Sequence, residues 1–446
     1  MGRYFGTNGM RGVFGSGITV GTACRMAAAV GARLGRGPVL VGRDGRWSGP
    51  ALLRAATSGI CSAGLDCADA GLVPTPCLEY AVKKLGYAGG IMVTASHNPP
   101  EYGGIKPVAA DGVEFSRDDE DATEDIYDSG GPAPGRWGSR REEDGAVGAY
   151  LGGVASEVDA DAIRAAGCGV VIDAGNGAQA RVAPELCRML GVNTRVINGD
   201  VDGAFPGRGP EPTPENLGAL SEAVREEGAS LGVAFDGDGD RSVFCDGDGR
   251  ILTGDRSALV MARSILASSP GSLVVTCHNS GSAIEEVAAE SGSRVARTRV
   301  GSVEVSRRMV KDGALVGFEE NGGFMYGRHN QVRDGCMALA LMLGIAARSG
   351  ISDAAAALPV SHTGKTKILC KPGSMRDAMA RIAAANPGCD TGDGIRVEEG
   401  PRDWAMIRAS GTEPVIRVYA EGSTGAELES RLARFERMVR DHLTGA

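Results

Sequence analysis

Gly90-Ile91-Met92-Val93-Thr94-Ala95-Ser96-His97-Asn98-Pro99-Pro100-Glu101-Tyr102-Gly103-Gly104-Ile105-Lys106 passes from an apolar run into a stiff polar loop. Gly90 to Val93 has the length and character of a short buried strand. Asn98 favours a turn through its side chain, and the two prolines keep a helix from starting at once. Ser96 is therefore presented at the end of a strand by a rigid loop, with Lys106 ten positions on. A hydroxyl so held suits a nucleophile or a group carrier with a proton acceptor nearby. The plain alternative is an ordinary strand-to-helix loop in which the serine only caps.

Working outward, strand and helix patterns alternate. Val20, Cys24, Ala27, Val30 and Leu34 share one helical face that Gly35 and Gly37 close, and Val39 to Val41 follow as a strand. A helix over 51–63, a strand over 65–68 and a helix through Lys84 lead to the Ser96 strand. This alternation predicts a doubly wound α/β domain. Residues 128–145 are rich in Gly, Pro and charge and are expected to connect two units. Strands are expected at Gly169–Asp173 and Leu231–Phe235 in a second unit, and at 273–276 and 314–317 in a third that opens near Arg250. The tail alternates differently, with strands at 404–408 and 415–420 and a charged helix from Ala426. The expected architecture is three similar α/β domains, at 1–148, 149–249 and 250–362, and a smaller α+β domain at 363–446.

Composition narrows the function. With 42% hydrophobic and 23% charged residues the 446-residue chain falls in the soluble globular class. A net charge of −9 lacks the basic footprint that nucleic acid requires, while small phosphorylated ligands need only local positive charge. Aromatics at 4% exclude a base-stacking platform. The 11 cysteines include no Cys-x-x-Cys pair, so neither a zinc site nor a disulfide framework is signalled. No apolar run is long enough to span a bilayer. The expectation is a cytoplasmic protein, with neither nucleic acid nor membrane as partner.

Three more loops carry chemistry. Asp236-Gly237-Asp238-Gly239-Asp240-Arg241 follows the strand that ends at Phe235. Its alternating carboxylates make a hard oxygen site that favours Mg²⁺, and Arg241 suits a phosphate contact. A Ca²⁺ EF-hand would need Gly at the sixth position and Glu at the twelfth, where Arg241 and Gly247 stand. Gly317-Phe318-Glu319-Glu320-Asn321-Gly322-Gly323 offers carboxylate and amide groups suited to sugar hydroxyls. Arg408-Ala409-Ser410-Gly411-Thr412-Glu413-Pro414, with Arg417 beyond, combines arginine, hydroxyls and glycine in a nest for phosphate. Near the start, Gly6-Thr7-Asn8-Gly9-Met10-Arg11-Gly12 is a glycine-spaced loop with a single arginine. The main loops fall at the carboxyl ends of predicted strands, where open α/β sheets bind ligands.

Taken together, the Ser96 loop, the aspartate loop, the Glu319 loop and the Arg408 loop stand in the order found in the α-D-phosphohexomutases, and the chain resembles that family over nearly its whole length. The resemblance implies four domains around one cleft and transfer of phosphate between O1 and O6 of a hexose through a bound hexose 1,6-bisphosphate. It implies that Ser96 carries a phosphoryl group and completes a Mg²⁺ site with Asp236, Asp238 and Asp240. Arg11 and Lys106 match positions around that group, Lys106 as a candidate general acid/base whose pKa would have to be lowered. Arg241 matches a phosphate contact, Glu319 and Asn321 the sugar loop, and Arg408, Ser410, Gly411, Thr412 and Arg417 the loop for the non-reacting phosphate. Two departures stand out. The sugar loop lacks the histidine frequent in the family, for which His329 is either a substitute or a surface residue, and Gly103 replaces a frequent asparagine. The Glu-Glu-Asn-Gly-Gly form looks like archaeal members, which makes glucosamine phosphates the expected substrates, with glucose and mannose phosphates as alternatives. Hexose phosphates are the expected partners, and the protein a monomer or homodimer.

Competing classes explain less. Gly364-Lys365-Thr366 has Pro359 where a P-loop needs its first glycine. Gly175-Asn176-Gly177-Ala178-Gln179-Ala180 mimics a dinucleotide fingerprint but leaves the aspartate triplet unexplained. A non-catalytic sugar-phosphate sensor on the same fold would not need Ser96, Lys106 and three aspartates together.

Overall fold

The structure, a computed structural model, describes residues 2–132, 135–371, 373–410 and 414–444. The first domain runs β1 (Met10–Val13), α1 (Val20–Leu34), β2 (Val39–Arg43), α2 (Gly49–Ser62), β3 (Cys67–Leu72), α3 (Thr75–Lys84), β4 (Gly89–Val93), β5 (Tyr102–Ala109), α4 (Arg117–Asp128) and β6 (Arg140–Glu142). Its sheet has the order β1-β5-β4-β2-β3-β6. The apolar runs of β2 and β4 are buried, as the parallel centre of a sheet covered on both faces must be. Thr19 and Thr22 form a capping box that starts α1, and Gly35, left-handed at φ 67°, ends it. Helices α1 and α2 approach closely because position 59 has no side chain; a Cβ there would strike the Cys24 carbonyl.

The second domain contains α5 (Ala146–Ala155), α6 (Ala160–Ala166), β7 (Gly169–Asp173), α7 (Ala183–Leu190), β8 (Asn193–Ile197), α8 (Gly218–Glu227), β9 (Leu231–Phe235), β10 (Ser242–Asp246) and β11 (Ile251–Leu252), in the sheet order β11-β10-β9-β7-β8. The third continues with α9 (Gly254–Ala267), β12 (Leu273–Cys277), α10 (Ala283–Ala289), β13 (Arg294–Thr298), α11 (Ser302–Asp312), β14 (Val316–Phe318), β15 (Phe324–Tyr326), β16 (Asn330–Arg333), α12 (Gly335–Ser349) and α13 (Ile351–Ala356), in the order β13-β12-β14-β15-β16. The last, smaller domain has β17 (His362–Leu369), α14 (Ser374–Ala385), β18 (Ile395–Gly400), β19 (Asp403–Ala409), β20 (Val415–Gly422) and α15 (Gly425–Thr444), with an antiparallel sheet ordered β17-β20-β19-β18.

Three local expectations change. Met10–Val13 is not loop but an edge strand, and it puts Arg11 opposite Gly104 on β5. Arg140–Glu142, inside the expected connection, adds a parallel strand to the first sheet; its exposed, fully charged residues carry no apolar alternation. Ile251–Leu252 pairs with β10 and so belongs to the second sheet, although the sequence places it at the opening of the third unit.

The core decides what moves together. One contiguous apolar cluster runs from Leu40, Leu78 and Met92 in the first domain through Val170, Leu186 and Phe235 in the second to Val274, Phe318 and Leu339 in the third. The last domain has its own core around Ile382, Ile407, Ile416 and Phe435. Its seam with the third domain includes a small apolar set in which Val300 packs on Trp404, Met406 and Tyr419, and the Lys365–Glu320 ion pair.

Candidate active site

The loop after β4 places Ser96 in left-handed backbone (φ 49°), which a non-glycine residue adopts only when its surroundings fix it. The fixing group is Arg46, fully buried fifty residues earlier. Its Nη2 donates to the carbonyls of Ser96 (2.6 Å) and Asn98 (2.5 Å), and its Nη1 to those of Pro99 (2.7 Å) and Tyr102 (3.1 Å). Asp44 pairs with Arg46 at 3.2 Å and accepts from Thr94 Oγ1 at 2.7 Å. Thr94 Oγ1 in turn accepts from the Ser96 backbone N–H at 2.7 Å. A carboxylate, a guanidinium and a threonine thus frame the serine, and of these three the sequence singled out none.

Ser96 Oγ donates to Asp236 Oδ2 at 2.8 Å, so the serine loop and the aspartate loop meet. Gly237 permits this approach, since a Cβ there would lie 2.7 Å from the Ser96 carbonyl. Asp236, Asp238 and Asp240 are buried, each offering a carboxylate oxygen, and these atoms lie within 4.8 Å of one another. Asp236 Oδ1 accepts from the N–H groups of Gly239 and Arg241, whereas Asp238 Oδ1 and Asp240 Oδ1 are buried without a donor. Lone pairs left so are what a cation satisfies, and the three-carboxylate set fits a hard one. Burial, reinforced by Asp238 and Asp240, pushes the Asp236 carboxyl well above the usual range.

The glycine-rich run after β7 lies beneath this loop. Ala178 N–H donates to the Gly237 carbonyl, Gln179 Nε2 donates to the Gly239 carbonyl at 3.0 Å, and residues 178–180 form a single 3₁₀ turn. Its glycines serve close backbone packing there, since a Cβ at Gly177 would lie 2.7 Å from the Gly237 carbonyl. From the other side, Thr75 at the start of α3 donates its N–H to the Asp238 carbonyl and its hydroxyl to Asp238 Oδ2 at 2.6 Å.

Lys106, on β5, is buried with Nζ 3.1 Å from Glu79, 3.1 Å from Glu114 and 3.6 Å from Asp240. The expected lowering of its pKa is corrected. Burial does work against the ammonium, but Glu114, Glu79 and Asp240 outweigh it and raise the pKa above the ordinary lysine value. The partners divide: burial pushes Glu79 well above the usual carboxyl range, while Lys106 and Arg333 overcome burial at Glu114 and bring it to about 2. Arg11 donates to the carbonyls of Asn8 and Ala95 and to Asn98 Oδ1, and burial lowers its pKa to about 10.

Glu319 is buried, with Oε2 accepting from Arg333 Nη1 at 3.2 Å; Arg333 Nη2 donates to Asp240 at 2.6 Å. Arg333 therefore joins the sugar loop to the aspartate loop, a role invisible in the sequence. Space for it comes from Gly323, where a Cβ would lie 2.5 Å from Arg333 Cδ. Asn321 Oδ1 accepts from the Gly323 N–H, and Glu320 pairs with Lys365 of the last domain. His329 is neither a surface residue nor part of this loop's contacts: it is buried, stacked on Tyr80 with ring centres 4.4 Å apart and 3.4 Å from Asp334.

In the last domain Arg408 donates to Asp393 at 2.9 Å and stands beside Arg417 across the β19–β20 pair; Ser410 is buried next to them. Gly411 and Thr412 lie outside the described residues. The arginines from different domains act on one place. His97, next to Ser96, has its pKa driven well below the usual value by burial and then by Arg241, Arg11, Arg333 and Arg417. A buried serine and three buried aspartates within electrostatic reach of four guanidinium groups suit a phosphate held next to a cation. Among the described residues no helix is long and apolar enough to cross a membrane.

Comparison with known proteins points to one family over the whole chain. Sequence models of phosphoglucomutase/phosphomannomutase α/β/α domain I, α/β/α domain II, α/β/α domain III and C-terminal domain match residues 2–133, 148–249, 253–360 and 377–438. A phosphoglucosamine/phosphogalactosamine mutase of Sulfurisphaera tokodaii is 38% identical, covering 94% of this chain and 95% of that one. A phosphoglucomutase/phosphomannomutase of Thermococcus kodakarensis is 36% identical, covering all of both. The crystal structure of a phosphoglucomutase/phosphomannomutase family protein from Burkholderia thailandensis superposes with a TM-score of 0.85 at 28% identity, over 99% of this chain and 98% of that one.

Proposed function

The chain belongs to the phosphoglucomutase/phosphomannomutase family, the α-D-phosphohexomutases, and from that membership we propose that it is a phosphoglucosamine mutase, interconverting glucosamine 6-phosphate and glucosamine 1-phosphate. The observation that carries the phosphoryl transfer in this reading is the meeting of Ser96 Oγ with Asp236 at 2.8 Å, with Arg241, Arg11, Arg333 and Arg417 in electrostatic reach of the neighbouring His97. Ser96 Oγ is the carrier atom. Its phosphoryl group passes to the free hydroxyl of the sugar phosphate, whose proton ends on the Ser96 oxygen left behind, and the hexose 1,6-bisphosphate then turns over in the site. The phosphoryl group at the other end then returns to Ser96, so no phosphate is gained or lost.

Asp236, Asp238 and Asp240 would hold Mg²⁺, which supplies electrostatic relief for the charge on the transferring group. Arg11 and Arg241 flank that group, and Lys106 stands beside it as a charged donor. With Lys106 held protonated, Glu79 at 3.1 Å, its carboxyl pushed well above the usual range by burial, provides a second site through which a proton is exchanged. Glu319 and Asn321 bind sugar hydroxyls. Arg408, Ser410, Gly411, Thr412 and Arg417 grip the phosphate that is not reacting.

The T. kodakarensis relative favours a second reading, a mutase for glucose and mannose phosphates. Values of kcat/KM for glucosamine, glucose and mannose phosphates, measured side by side with Mg²⁺ and a bisphosphate primer, separate the two. A preference for glucosamine of about a hundredfold, ~2.7 kcal/mol in transition-state binding, supports the first. Comparable values make the protein a generalist. No turnover of any of them, with Ser96 phosphorylated by mass spectrometry, overturns both.

A further inference from the structure

The seam between the third and fourth domains holds a cavity that the proposed reaction does not use. Thr253, Asp255, Arg256 and Gly281 line it from the third domain together with apolar side chains, and Ser361 and Thr363 from the chain entering the fourth. Its room is about 20 Å³, enough for one occupant the size of a water molecule. A side chain at Gly281 would fill it, with a Cβ 2.9 Å from Thr363 Cγ2 and 3.3 Å from both Asp255 Oδ2 and Ser361 Oγ.

The carboxylates beside this cavity lack a close ion-pair partner. Asp255 is 8% exposed; its Oδ2 accepts from the Gly281 N–H at 3.0 Å, and its Oδ1 is buried with no donor. Glu421, fully buried nearby, accepts from Ser361 Oγ, the Ser282 N–H and Trp404 Nε1 at 2.6–2.8 Å. Among the described residues neither carboxylate has a Lys, Arg or His nitrogen within 4.0 Å. The cationic side chains of the neighbourhood are committed elsewhere: Arg256 to the carbonyls of Ala355 and Pro359, Arg297 to Glu285 and three carbonyls, Lys365 to Glu320. A buried carboxylate without a counter-charge is costly and must be neutralised by a proton or by an ion.

We propose that the cavity is a monovalent-cation site, with the Asp255 carboxylate as the charged ligand and the hydroxyl oxygen of Ser361 among the neutral ones. Ser361 gives its proton to Glu421, which leaves its lone pairs for the cavity. One carboxylate with neutral oxygens suits K⁺, NH₄⁺ or Na⁺; Mg²⁺ would need the water shell that the cavity has no room for. Burial, with Glu320 adding to it, pushes Asp255 up to about 7, so the proton is readily exchanged for an ion near neutrality. The ion would tie the fourth domain's entering strand to the third domain.

The test uses the full-length protein and no turnover, so its failure is separate from failure of the proposed activity. K⁺, Na⁺ or NH₄⁺ is expected to raise the unfolding temperature by a few degrees over tetramethylammonium, which is too large for the cavity, at equal ionic strength. Crystals grown in Rb⁺ are expected to show an anomalous peak at Asp255. Gly281→Ala fills the cavity while leaving Asp255 in place, and is expected to lose both signals; Asp255→Asn is a second variant. Absence of the thermal difference or of the Rb⁺ peak in the wild type overturns the proposal in favour of a protonated Asp255 with a bound water. Persistence of both signals in Gly281→Ala also overturns it, because the ion then sits elsewhere.

Discussion

Replacing Arg46 by lysine tests whether the serine loop is held from behind. Arg46 uses two nitrogens to bind four carbonyls between Ser96 and Tyr102, and its Nε faces Asp44. Lysine keeps the charge opposite Asp44, so the buried carboxylate is not abandoned, but a single ammonium cannot span carbonyls that a planar fork reaches in two directions. At least two of the four bonds are lost. Charge-assisted hydrogen bonds contribute about 1.5 kcal/mol each at the low end, so the loop gives up about 3 kcal/mol of anchoring. If the anchoring fixes Ser96 for transfer, kcat falls about a hundredfold while KM changes little. The assay is steady-state turnover of a hexose phosphate, with single-turnover phosphorylation of Ser96 to isolate the chemical step and thermal unfolding to verify the fold. A folded Arg46→Lys protein with wild-type kcat would refute the reasoning, since Ser96 would then keep its position without the fork.

Other expectations follow from the same geometry. Chelation with EDTA should abolish turnover and Mg²⁺ restore it, and Asp238→Asn should lose that rescue; metal-independent turnover would remove the aspartate loop from the mechanism. Gly323→Ala should push Arg333 from Glu319 and Asp240 and raise KM about tenfold, roughly the worth of one weakened charged contact, with little loss of stability. In Glu114 the folded pKa of about 2 lies below its unfolded value, so its contribution is present above about pH 4.3 and lost as pH falls towards 2. Glu114→Gln should therefore flatten the acid limb of a stability-against-pH curve while lowering stability at neutral pH. Lys106 is shifted the other way, so its ion pairs hold below the unfolded value of about 10.4 and weaken only at higher pH. The pH profile of kcat/KM should accordingly show no limb from Lys106 between pH 6 and 9, and Lys106→Met should leave the profile's shape unchanged while lowering its height.

The fold was legible where a single segment carries its own pattern. Strands β7 and β9 are continuous apolar runs and were placed to the residue; α1 has a 3.6-residue apolar face and a glycine stop. Edge strands β1 and β6 were not, because one is glycine-spaced and the other wholly charged, and only pairing with β5 and β3 makes them strands. The site divides in the same way. Ser96, the aspartates and Glu319 announce themselves in loops at strand ends. Arg46, Glu79 and Arg333 act across gaps of 50, 27 and 93 residues, to Ser96, Lys106 and Asp240, and nothing local in the sequence reports such a partner. The state of Lys106 is hidden for the same reason: Arg11 sits in a recognisable motif, whereas nothing local marks Glu79 and Glu114 as neighbours of the lysine.

Helix α3 carries Thr75, which holds Asp238, and one turn later Glu79, which holds Lys106. Two parts of the site that come from different domains are thus hung from a single stiff rod. When thermal motion shifts that rod along its axis, both attachments travel the same way, and the separation between lysine and metal loop is disturbed far less than either absolute position. The arrangement ties the two parts to a common reference, as a shared optical bench does for two lenses, so that their relative alignment depends on one element rather than on the whole multidomain body.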